Sequence, residues 1–260
     1  MIDLEYIRGF FPPSVARDKR FDRYMLKEYI QLTILEHLMS SKYADRLSFI
    51  GGTNLRLVQG IDRFSEDLDF DCKNLSEADF VALTDEVIRR LQDDGINVIA
   101  RDKENANLTA YRRNLHFPQL LFDLGLTGHR EERFLVKIEA QDQGFDYQPK
   151  VVNINRMGFF LDVLTPPDDI LCAMKLSALI ARQKGRDFYD SIFLLSKTTP
   201  NYDYLSAKQN VGNLTELKAT IAQTLMTVDL NVKKKDFLHL LFREENAERV
   251  LYFGKFVEGL

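Results

Sequence analysis

The chain has 260 residues, 45% hydrophobic and 28% charged, which is enough to bury a large core without disulfides or structural metal and argues against wholesale disorder. Thirty-five Lys and Arg against 39 Asp and Glu leave a formal charge of −4, and the deficit lies in residues 1–160 because residues 161–260 carry 13 of each sign. That balance excludes a basic coat for non-specific nucleic-acid binding, though not a local basic pocket.

Cys72 and Cys172 make neither a disulfide framework nor a four-thiolate zinc site. The opening MIDLEYIRGF lacks the features of a signal peptide, and no stretch approaches the roughly 20 apolar residues of a membrane span. The expectation is a cytoplasmic protein with no membrane partner.

In chain order, Pro12-Pro13 closes a short N-terminal segment. A helix follows from about Phe21 to Ser40, with Met25, Tyr29, Leu32, Ile34, Leu35 and Leu38 as its core-facing stripe. LSFI (47–50) is a short strand stopped by Gly51 and Gly52, and TNLRLV (53–58) opens a helix with Thr53 as N-cap. FSEDLDFDCK then alternates strictly: Asp67, Asp69 and Asp71 on one face, Leu68, Phe70 and Cys72 on the other. Period two means a strand with three carboxylates projecting from one side.

Ser76 to Gly95 reads as a helix with a capping-box start at Ser76 and Asp79. INVIA (96–100), LTAYRRNLHF (108–117) and RFLVKIEAQ (133–141) read as strands, the last placing Lys137, Glu139 and Gln141 on one face. Pro166-Pro167-Asp168 marks a boundary. Beyond it come helices over 168–183 and 186–196, broken at Gly185, then over about 204–228 and 235–257. The fold class is therefore α/β (α+β): a mixed-sheet domain over 1–162, then a helical domain over 163–260.

The unit that carries chemistry is GGTNLRL (51–57) followed by RFSEDLDFD (63–71). Two glycines after a strand let the backbone approach a bulky anion, and the helix after them turns free N–H groups toward the same place. Asp67 and Asp69 offer two carboxylates on one strand face, as a hard divalent cation bridging triphosphate oxygens requires. A solvated edge strand is the plainer reading of the acidic ladder, but three like charges side by side repel without a cation. An EF-hand loop fails, because its sixth position would be Cys72 and its twelfth Ala78.

Among the remaining residues, His116, His129 and His239 have no metal-ligand spacing, and Lys233-Lys234-Lys235 is a solvated run. Lys175 leaves an apolar helix face as a snorkelling lysine would, and Arg186 with Asp190 forms an i,i+4 pair.

These residues resemble the AbiEii/AbiGii-type toxins, a type IV toxin–antitoxin branch of the DNA polymerase β-like nucleotidyltransferase superfamily. GGTNLRL…RFSEDLDFD is similar to that family's first signature, and KLSALIARQKGRDFYDSIFLL (175–195) to its second. The resemblance spans about residues 25–195. It implies a nucleotidyltransferase fold whose helical domain completes the active site, with Asp67 and Asp69 as Mg²⁺ ligands and Glu139 as the best-placed third carboxylate.

It further implies that Gly51, Gly52 and Thr53, with Arg63 and Ser65, hold the nucleotide and that Lys175 contacts the triphosphate. Asp187 then orients Lys175, orients the acceptor or acts as general base. The implied activity is transfer of NMP from an NTP to an RNA acceptor, a tRNA 3′ end, by a toxin with a cognate antitoxin. Transfer to a protein hydroxyl uses the same donor chemistry. A non-catalytic NTP-binding regulator and a purely structural module are the other classes.

Overall fold

Among the described residues, seven strands make one mixed sheet in the order β3-β4-β5-β2-β1-β7-β6. They are β1 (Leu47–Ile50), β2 (Asp67–Cys72), β3 (Ile99–Ala100), β4 (Tyr111–His116), β5 (Leu135–Gln141), β6 (Lys150–Arg156) and β7 (Phe159–Thr165). The computed structural model describes residues 2–102 and 109–260, so Leu108, the first residue of the expected LTAYRRNLHF strand, lies outside the described residues.

β1 runs antiparallel to β2, with Ile50 opposite Asp69, and parallel to β7, with Ser48 opposite Leu164. β2 and β5 are parallel, pairing Asp67 with Lys137 and Asp69 with Glu139. The alternation seen in the sequence survives: Leu68, Phe70, Val136, Ile138 and Ala140 are all buried on the packed face.

The β6–β7 hairpin was not expected from the sequence. KVVNINR and FFLDVLT pair in full register across Met157-Gly158, both at positive φ (52° and 82°), as a two-residue type I′ turn requires. Methionine is an unusual residue at such a position, which hides the turn from composition.

The α-helices that belong with the sheet among the described residues are α1 (Leu4–Arg8), α2 (Pro13–Ala16), α3 (Asp22–Met39), α4 (Gly51–Leu57), α5 (Glu77–Asp93) and α6 (Leu120–Asp123). α3 is buried on more than one stripe, because Leu26 and Ile30 join Met25, Leu32, Ile34, Leu35 and Leu38 in the core. It also buries Lys27, Glu28 and Gln31, and Glu28 is held by Arg56 at 2.8 Å and Arg156 at 2.6 Å. The capping box at Ser76 and Asp79 opens α5 as expected.

α4 starts three residues earlier than a Thr53 N-cap implies, with Ile50 as N-cap and no side-chain cap. Thr53 is thereby turned inward. Asn54 anchors the helix instead, its Nδ2 donating to the Phe49 carbonyl on β1 and to Thr165 Oγ1 on β7, each at 2.8 Å.

The chain forms two compact units. The first holds residues up to Val58, Phe64–Gly144 and Pro149–Thr165; the second holds Gln59–Arg63, Phe145–Gln148 and Pro166–Leu260. The helices of the second are α7 (Asp168–Arg182), α8 (Gly185–Leu195), α9 (Tyr202–Gln209), α10 (Leu214–Leu225), α11 (Leu230–Lys233) and α12 (Phe253–Glu258). Among the described residues no helix is long and apolar enough to cross a membrane.

Three expectations about the second unit are corrected. The break between α7 and α8 falls at Gln183 and Lys184, with Gln183 at φ 52° and Gly185 as the first residue of α8. The helix expected over 204–228 is two, because Asn210 adopts the left-handed conformation (φ 55°) and Asn213 caps α10 through the Glu216 N–H. The helix expected over 235–257 is 3₁₀ at Leu238–Leu240 and Glu244–Tyr252, becoming α-helical only in α12.

Gly185 allows a close approach, since a Cβ there would lie 1.8 Å from the Lys233 carbonyl oxygen on α11. Gly185→Ala must therefore push α8 and α11 apart. The expected cost is about 1–3 kcal/mol, the usual range for overpacking, read from urea denaturation.

Candidate active site

The pairing of Ile50 with Asp69 sets the start of α4 beside the β2 carboxylates. A Cβ on Gly51 would fall 2.1 Å from Asp69 Oδ2, and Gly51 has φ +77°, so both the backbone conformation and the neighbouring carboxylate demand glycine. Gly51, Gly52 and Thr53 are the first three helical residues, whose N–H groups have no intrahelical acceptor.

Thr53 does not offer its hydroxyl to a ligand, contrary to the family-derived expectation. The residue is fully buried; its hydroxyl donates to the Asp67 carbonyl and accepts from Gln31 Nε2 at 3.5 Å. Gln31 Nε2 also donates to the Ser65 carbonyl at 3.3 Å, so Thr53, Ser65 and Gln31 together lock the entry to β2 onto α4 and α3. Asp71, the third member of the acidic ladder, is buried and accepts the Gln143 N–H at 2.8 Å.

The repulsion expected along the ladder is relieved from the neighbouring strands. Lys137 Nζ lies 3.2 Å from Asp67 Oδ2 and 3.5 Å from Glu139 Oε1, while Arg112, opposite Glu139 on β4, pairs with it at 2.8 Å. Among the described residues no group of three or more acidic, histidine or cysteine side chains is arranged to hold a metal ion. Glu139 is thus not gathered into a triad with the two aspartates, because Arg112 and Lys137 hold it.

Asp67 and Asp69 by themselves fit Mg²⁺, which takes one or two carboxylates and fills its shell with water and phosphate oxygens. The Asp69 carboxylate fills the place that a Gly51 side chain would take, which sets it against the start of α4. Lys27 of α3 escaped the sequence reading: it is buried 3.4 Å from Glu66, burial pushes its ammonium pKa down, and Glu66 and Asp67 oppose that shift. The signal was there in Lys27 and Gln31, an i,i+4 polar pair beside the apolar stripe of the helix.

The second signature forms a buried charge network within the second unit. Arg63 Nε and Nη2 donate to the two Asp190 carboxylate oxygens at 2.7 and 2.6 Å, and Lys175 Nζ lies 2.9 Å from Asp190 and 3.6 Å from Asp187. Arg182 completes the set with two hydrogen bonds to Asp187 at 2.9 and 2.8 Å.

This corrects three readings. Arg63, 1% exposed, is committed to Asp190 and has no guanidinium edge for a phosphate. Asp190 is fully buried and pairs with Arg63 and Lys175, not with Arg186 at the surface. Lys175 does not snorkel to solvent; its ammonium ends on the two aspartates.

Burial pushes the Asp190 carboxyl up, but the Arg63 guanidinium and the Lys175 ammonium outweigh it and bring the pKa down to about 2. Asp187 is likewise lowered, with burial outweighed by Lys175 and Arg182. Both cysteine thiols are pushed up by burial, Cys72 to about 11 and Cys172 to about 12, which leaves them protonated and unreactive.

A depressed folded-state pKa contributes stability above the ordinary carboxyl value of 3.8 and loses it as the pH falls toward about 2. The expected outcome is an acid transition in that window whose low-pH side is flattened by Asp190→Asn. That variant leaves Arg63 and Lys175 short of a buried counter-charge, at a cost of about 3–5 kcal/mol at neutral pH by denaturant titration.

Comparison with known proteins bears on the family and the fold. The chain matches the family described as "Nucleotidyl transferase AbiEii toxin, Type IV TA system" over residues 33–245. No curated protein sequence matches significantly. Among solved structures it is similar to the nucleotidyltransferase toxin MenT4 of Mycobacterium tuberculosis, with a TM-score of 0.65 and 16% identity over 100% of this chain and 91% of that one. It is also similar to JHP933 of Helicobacter pylori, with a TM-score of 0.53 and 21% identity over 91% and 92% of the two chains. With most of its length covered by the family match, the chain belongs to the AbiEii nucleotidyltransferase toxins of type IV toxin–antitoxin systems.

Proposed function

We propose that this nucleotidyltransferase moves an NMP from an NTP to an RNA acceptor, the 3′ end of a tRNA, and that a cognate antitoxin counters the resulting block on growth. The observation that carries the donor half is the placement of Asp67 and Asp69 on one face of β2, with Asp69 against the side-chain-free start of α4 at Gly51. The tRNA acceptor follows the resemblance of both signatures to the toxin family.

In this reading Asp67 and Asp69 hold Mg²⁺, which when bound supplies charge neutralisation on the phosphates. The Gly51 and Gly52 N–H groups cradle phosphate oxygens, as helix starts do for anions. Thr53 contributes through its backbone and through locking α4 in place. An acceptor hydroxyl attacks the α-phosphorus and releases its proton to water, the bond to the β-phosphate bridging oxygen breaks, and pyrophosphate leaves with that electron pair.

Among the three roles open to Asp187, positioning Lys175 is favoured, because its carboxylate is already spent on Arg182 and Lys175.

The test is incubation of the purified protein with each α-labelled NTP, Mg²⁺ and either total tRNA or a cell extract. The expected result is label on tRNA from one NTP, reduced about 10²–10³-fold in Asp67→Ala, the scale on which losing one transition-state charge partner is felt. Label on a protein band would move the acceptor to a protein hydroxyl, and binding without transfer would leave a regulator.

A further inference from the structure

Lys137 sets an ammonium between two carboxylates of this site. Its Nζ hydrogen-bonds Asp67 Oδ2 at 3.2 Å and lies 3.5 Å from Glu139 Oε1. The arrangement is built in by register, since Lys137 is the direct β5 partner of Asp67 and Glu139 that of Asp69. Arg112, from β4, pairs with the same Glu139 oxygen at 2.8 Å.

The lysine side chain is 26% exposed and that of Asp67 24%, so the pair is only partly screened by solvent. Electrostatically, the ammonium occupies the role a divalent cation would take on Asp67. A cation can use that carboxylate oxygen only if the ammonium gives it up, and the Glu139 carboxylate left to the displaced ammonium is already paired with Arg112.

We propose that Lys137 is a built-in counter-ion that competes with the metal for Asp67, so that cation and nucleotide bind together and the free protein holds divalent metal poorly. The inference rests on the proposed function, in which Asp67 and Asp69 take the metal. The incoming triphosphate supplies the anion onto which Lys137 transfers its ammonium, and that exchange couples the two ligands. Reciprocity follows: metal tightens nucleotide binding by the same factor by which nucleotide tightens metal binding. Lys137 is in this sense a positioning residue for the ligands, and breaking and forming ion pairs requires no covalent change.

The test uses the full chain and Mn²⁺, followed by electron paramagnetic resonance of the free ion, with and without a mixture of α,β-methylene NTPs. For the native protein, Mn²⁺ binding is expected to be weak alone and tightened at least about tenfold by the nucleotide mixture, within the usual range of site–site coupling. In Lys137→Met, Mn²⁺ binding to the nucleotide-free protein is expected to tighten about tenfold and most of the coupling to vanish. Lys137→Arg, which keeps the charge, should behave as native.

Removing the ammonium also leaves Asp67 and Glu139 less well compensated, so the melting temperature of Lys137→Met should rise more on adding Mn²⁺ than that of the native protein. This second readout holds even if the variant is destabilised. Unchanged or weaker Mn²⁺ affinity in Lys137→Met, with Asp67→Asn still abolishing binding, overturns the counter-ion role alone. Mn²⁺ binding that survives Asp67→Asn places the metal elsewhere and overturns the proposed cation site together with the counter-ion role.

Discussion

The pairing of β1 with β2 is the constraint on which the candidate site depends. β1 is four residues long and sits between β2 and β7, so its register is held from both sides. Ile50 opposite Asp69 brings the end of one strand, the start of α4 and the carboxylates of the next strand to one place. A one-residue slip would turn Asp67 and Asp69 to the packed face and Leu68 and Phe70 outward, a change the buried core forbids. Gly51 then follows from the register, since no side chain fits between that backbone and Asp69.

The two units handle their charges in different ways. On the sheet, acids and bases interleave across strands at partly exposed positions: Asp67 with Lys137, and Glu139 with Lys137 and Arg112. Such pairs exchange readily, because water shares in their stabilisation. In the second unit Arg63, Asp190, Lys175 and Asp187 are withdrawn from solvent and joined in a closed set. Burying these ions is costly unless each finds its partners, so the network holds α7, α8 and the Gln59–Arg63 segment in one arrangement. The adaptable charges therefore surround the proposed ligand site, while the rigid ones hold the residue the family signature marks, Lys175.

What could be read from the sequence was what local physics determines. The strict alternation of DLDFDC identified β2 and the face its aspartates share, and the Ser76/Asp79 capping box located the start of α5. The resemblance of two signatures brought the family, now shown by the match over residues 33–245. What escaped depends on distant partners or unusual turn residues. Arg63 and Asp190 are 127 positions apart, so no spacing rule joins them, and Arg63 was assigned to the nucleotide for want of its true partner. Thr53 looked like an N-cap because nothing local shows that Ile50 begins the helix and that the hydroxyl belongs to the Asp67 carbonyl. The β6–β7 hairpin hid behind Met157, and Asn210 divided a helix whose pattern runs on without a proline.

The central claim is that the Asp67–Asp69 face beside Gly51 is where nucleotide-bound metal sits. The most direct measurement is anomalous diffraction at the manganese edge from crystals grown with Mn²⁺ and a non-hydrolysable NTP. The account predicts an anomalous peak within coordination distance of carboxylate oxygens of both Asp67 and Asp69, with phosphate density at the N–H groups of Gly51 and Gly52. A peak elsewhere, or phosphates bound away from α4 with no metal on either aspartate, would contradict it.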